Sequence, residues 1–74
     1  MKQCKRIEAA RAALARAAWV RGQAPAYGED AVIDLIADLR LWCDSAGLDF
    51  GRCDELAFSF YCGEEEHAKI VECY

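Results

Sequence analysis

Seventy-four residues, 55% of them apolar and only one proline, make a single domain of residues 1–74 with enough apolar residues to fold, near the lower size limit for an independent core. That length leaves no room for two lobes around a cleft, and no apolar run approaches the roughly 18 to 20 residues that span a bilayer. The formal charge of −4 conceals segregation: residues 1–22 carry six basic side chains against Glu8, whereas the remainder carries three against twelve acidic ones.

The first segment, about Gln3 to Arg21, is dense in strong helix formers, with Ile7, Ala10, Leu14, Ala17 and Ala18 sharing one face. Because that stripe is mostly alanine, it permits close approach to another helix but buries little area. Trp19 falls off the stripe, which assigns it either to the end of the bundle under the Pro25 and Tyr27 loop or to a contact with another chain. The basic side chains Arg6, Arg11 and Arg16 leave open a role in touching phosphates. Interruption of the alanine-rich stretch by Arg11, Arg16 and Arg21 argues against a signal-peptide core.

A connector, Gly22 to Asp30, contains glycine, proline and glycine and ends the first helix. The second segment, about Glu29 to Ala46, is the most regular. Val32, Leu35, Ile36, Leu39, Trp42, Cys43 and Ala46 follow amphipathic helical spacing, and Asp30, Asp34 and Asp38 recur every four residues as an acidic ladder with no neutralising neighbour in its own helix. Glu29 and Asp30 suit a helix N-terminus, and Gly47 suits a left-handed C-terminal stop.

The third segment opens at Asp49, a good N-cap, and continues with Phe50, Cys53, Ala57, Phe60 and Tyr61 on one face. Gly63 and the run Glu64, Glu65, Glu66 weaken helical continuation, so that the tail HAKIVECY extends the helix or forms a short strand, the helix being favoured. The fold expected is all-α, a small three-helix bundle, with the alanine stripe of the first helix packed across the other two.

Chemistry finds little to work with. Cys4, Cys43, Cys53, Cys62 and Cys73 are odd in number and contain no C-x-x-C pair, which reads as reduced thiols, several of them core residues, in a cytoplasmic protein. The best zinc set, Cys53, Cys62, His67 and Cys73, lacks paired short loops, and Cys53 and Cys62 point to different helix faces. His67 is the single histidine, no glycine-rich oxyanion loop accompanies any cysteine, and three short helices cannot enclose a pair of hydrolytic carboxylates. No catalytic residue, cofactor or metal is therefore expected. A helix-turn-helix role for the second and third segments is opposed by Asp49, Asp54 and Glu55 against Arg52 alone at the start of the reading helix.

The residues DLIADLRLWCDSAGLDF followed by FSFYCGEEE, Asp34 to Glu66, resemble small accessory proteins encoded by bacteriophages, plasmids and integrated elements. In that pattern a helix ending in Trp-Cys-Asp precedes a Gly-x-Asp-Phe turn and a helix ending in an aromatic and glutamates; Arg52, Cys53 and Gly63 depart from it, and the first helix lies outside it. The resemblance is structural and transfers no functional residue. It implies a non-enzymatic protein that occupies a surface on a larger protein or protein–nucleic acid complex, as anti-CRISPR proteins do. The expected binding residues are Asp30, Asp34, Asp38, Trp19, Glu64, Glu65 and Glu66, with self-association into a homodimer also expected; the alternative is a small regulator that grips nucleic acid through the basic first helix.

Overall fold

The computed structural model describes residues 3–68, with side chains over 4–63, and consists of three helices: α1 (Gln3–Val20), α2 (Glu29–Ala46) and α3 (Phe50–Ala68). The expected all-α architecture is correct, and no strand occurs among the described residues. Gly63 and the glutamates after it do not stop α3, which runs through them to Ala68. Gly63 carries no positive φ, so one glycine in a helix interior costs only about 1 kcal/mol relative to alanine and is outweighed by the turns around it. The rest of the HAKIVECY tail, beyond Ala68, lies outside the described residues.

Both interhelical breaks are made by one backbone device. Gly22 (φ 75°) and Gly47 (φ 73°) adopt the left-handed conformation that a side chain resists, and each ends a helix by redirecting its last N–H groups. At the first, the Gly22 N–H donates to Trp19 O (3.0 Å) and the Gln23 N–H to Ala18 O (2.9 Å). At the second, the Leu48 N–H donates to Cys43 O (2.8 Å) while Gly47 N–H turns toward Asp44 O (3.4 Å). Three residues after Gly47, α3 begins, and the Arg52 N–H donates to Asp49 Oδ1 (3.2 Å), the N-cap the sequence led us to expect.

Packing departs from the expectation of a filled core. Among the described apolar side chains only Ala18 and Cys43 are buried, with Leu14, Ala17, Ala31, Leu35 and Phe50 half-covered. α1 meets α2, Ala18 being the buried residue of α1 and Ala31, Leu35 and Asp38 the partly covered ones of α2, and Arg21 just after α1 reaches Asp38. α2 meets α3 at the turn, where Cys43 lies against Cys53. Away from these two joints the helices part: Val32, Ile36, Leu39 and Trp42 on α2, and Phe60 and Tyr61 on α3, all expected inside, are exposed. So is Ile7 near the start of α1. The physical reason is reach. Alanine supplies too little volume to fill the space over the α2 stripe, and a three-residue turn fixes α3 at one end only.

Candidate functional site

The acidic ladder of α2 is present but shorter than its spacing suggests. Asp30 and Asp34 are exposed and make no side-chain hydrogen bond or ion pair among the described residues. Asp38 is different: it is half-covered, and its Oδ2 accepts a 2.7 Å bond from the Arg21 guanidinium at the end of α1. The expected lack of a neutralising neighbour concerned α2 itself, and the group that pairs with Asp38 lies outside that helix. It is an arginine seventeen residues earlier, which no inspection of α2 alone could reveal.

With Asp38 drawn toward α1, the outward line of α2 becomes Asp30, Asp34, Ala37 and Leu41, at the i, i+4, i+7, i+11 spacing of a single helix face. Leu41 is 68% exposed and ends that line with an apolar group. It had not been singled out from the sequence, where it sits between stripe residues Leu39 and Trp42; the available signal was that it lies opposite Val32 and Ile36 on the helical wheel. An acidic strip ending in an isolated leucine can steer a basic surface by charge and seat it by apolar contact.

Trp19 is 67% exposed, so it covers neither the bundle end nor the connecting loop. The Arg16 guanidinium lies over its ring, 4.2 Å from the centroid. Two further arginines do likewise: Arg11 sits over Tyr27 at 5.0 Å and Arg40 over Phe50 at 4.4 Å. Such stacking fixes long side chains along the surface and shields the ring faces. Ile7, Ala10, Arg11, Leu14 and Tyr27 line a shallow apolar groove between α1 and the loop that follows it. The helical backbone includes Glu64, Glu65 and Glu66, whose side chains lie outside those described.

The cysteines divide. Cys43, Cys53 and Cys62 are free thiols, whereas Cys4 is disulfide-bonded, which corrects the expectation of uniformly reduced thiols. Burial, and then the neighbouring Cys53 thiol hydrogen-bonded to it, push the Cys43 pKa up, the opposite of what a nucleophile requires. Cys53 itself is exposed rather than a core residue. Among the described residues no three His, Cys, Asp or Glu side chains are placed to share a metal ion, and no helix is long and apolar enough to cross a membrane. Of the zinc set considered from the sequence, His67 and Cys73 lie outside the described side chains.

No known family, curated protein or solved structure matches this chain.

Proposed function

We propose that this protein is a non-enzymatic accessory or inhibitor protein of a bacteriophage or mobile element, acting in the cytoplasm of its host in the manner of an anti-CRISPR protein. It binds a basic surface of a larger protein or protein–nucleic acid complex through the outer face of α2. The observation that carries this reading is the pair of exposed, uncompensated carboxylates Asp30 and Asp34, with Leu41 at the end of the same face. Trp19 and Glu64, Glu65 and Glu66 belong to the same reading as secondary contacts, and Asp38, which is held by Arg21, supports the surface rather than forming it. Unfavourable to the nucleic-acid alternative is the engagement of Arg11, Arg16 and Arg21 with groups of the chain itself.

The experiment is capture of the target from bacterial lysate, followed by association kinetics of two variants at low and high salt. Asp30→Asn with Asp34→Asn should slow association and flatten its salt dependence, because charges at the edge of an interface act mainly on encounter. Arg11→Glu with Arg16→Glu should leave binding intact. Loss in the arginine variant together with normal binding by the aspartate variant would transfer the assignment to a phosphate-gripping regulator.

A further inference from the structure

Cys4, the second residue of α1, is half-covered and takes part in a disulfide. Cys43, Cys53 and Cys62 are free thiols, and the chain has five cysteines in all. Cys73, which follows α3 by five residues, is therefore the one sulfhydryl of this chain left to be the partner of Cys4.

We infer that a disulfide between Cys4 and Cys73 ties the start of α1 to the segment after α3 and closes the chain into a ring over residues 4–73. The fold has a use for it. α1 packs on α2 and α2 on α3, so the first and last helices are held together mainly through the middle one, and the bond adds a direct covalent link. Ala18 and Cys43 are the only buried apolar side chains described, and a small domain this short of core gains from a cross-link that restricts the unfolded chain, the more so as the ring lengthens.

Closure is thiol–disulfide exchange with a small disulfide such as glutathione disulfide. One cysteine gives its proton to water, and the thiolate attacks a glutathione sulfur and expels glutathione thiolate. The second cysteine, likewise deprotonated, attacks the protein sulfur of the mixed disulfide and expels the other glutathione. Two thiols are thus oxidised, one glutathione disulfide is reduced to two glutathiones, and these take up the two protons. Excess glutathione drives the exchange backwards, so in a reducing cytoplasm the ring closes under oxidation and opens as the thiol pool recovers. No residue of the proposed target face on α2 takes part, and either proposal can fail without the other.

The test equilibrates the full native chain in glutathione buffers from reducing to oxidising, quenches with acid, and alkylates the denatured protein before digestion and mass spectrometry. In the oxidising buffer the digest should contain one pair of peptides joined through Cys4 and Cys73. After dithiothreitol that pair should be gone and all five cysteines labelled. The urea midpoint should be higher for the oxidised chain than for the reduced one, and Cys73→Ser should remove both the linked pair and the difference. If that variant does not fold, the linked peptides of the unaltered chain decide. Five labelled cysteines in the oxidising buffer would overturn the proposal. So would a link confined to Cys43 and Cys53, the thiols already in contact at the α2–α3 turn, or a reducible species of twice 8.3 kDa in place of the ring.

Discussion

Arg21, the residue after α1, and Asp38, midway along α2, are joined by a 2.7 Å ion pair that fastens the end of the basic helix to the acidic one. The charge segregation of the chain is thereby used at one point inside the fold. Because both side chains remain partly in water, at 29% and 45% of full exposure, the pair is a modest brace.

Arg21→Ala and Asp38→Asn should each lower stability slightly, with a coupling energy of about 0.5 kcal/mol in a double-mutant cycle. Urea unfolding of the four proteins at low salt and again near 0.5 M should find the coupling reduced at the higher value, where screening is nearly complete. A coupling that persists undiminished would mean the pair is more enclosed than its exposure indicates.

Glycines 47 and 63 should respond to alanine with opposite signs. Neither has an atom within 4 Å of where a Cβ would stand, so backbone preference alone decides. At Gly47, with φ 73°, alanine is forced into the left-handed region and should cost about 1 kcal/mol. At Gly63, inside α3 without a positive φ, alanine should add about 0.5 to 1 kcal/mol. Thermal unfolding of both variants reads the two signs in one experiment.

Removing the side-chain cap of α3 isolates another local term. Asp49→Ala leaves the Arg52 N–H without its acceptor and should destabilise by about 1 kcal/mol, whereas Asp49→Ser should recover most of that loss. Equal destabilisation by the two would show that the carboxylate acts through its charge rather than through the hydrogen bond.

The raised pKa of Cys43 has consequences for alkaline stability and for labelling. Its folded thiol holds its proton to higher pH than the unfolded thiol does, so its contribution is complete below about pH 9 and declines as pH rises toward and through the folded value. Replacement by alanine should abolish that decline at the cost of a small cavity. In the native protein at neutral pH, a thiol reagent should modify exposed Cys53 and Cys62 well before Cys43, the order being read by mass spectrometry of digests. Simultaneous modification of all three would contradict the burial of Cys43.

Much of the local structure followed from residue order. The bounds of α2 follow from its apolar period between Gly28 and Gly47, and the start of α3 from Asp49, because these signals act within a few residues of themselves. Gly63 weakens α3 without ending it, in line with the favoured helical continuation: a local preference of about 1 kcal/mol is small beside a helix already nucleated by three turns. What periodicity could not settle was how far each apolar face would be covered. It marks Leu39 and Phe60 as apolar positions of their helices, yet their burial depends on whether another helix lies within reach, and α1 offers mainly alanine. The acidic site divides along the same line. Asp30, Asp34 and Asp38 are equivalent by spacing, and only the crossing of α1 over α2 brings Arg21 to the third and leaves the first two in water. Helix ends and faces are decided by interactions within a turn or two, whereas burial and charge pairing depend on distances between segments that the chain specifies only when folded.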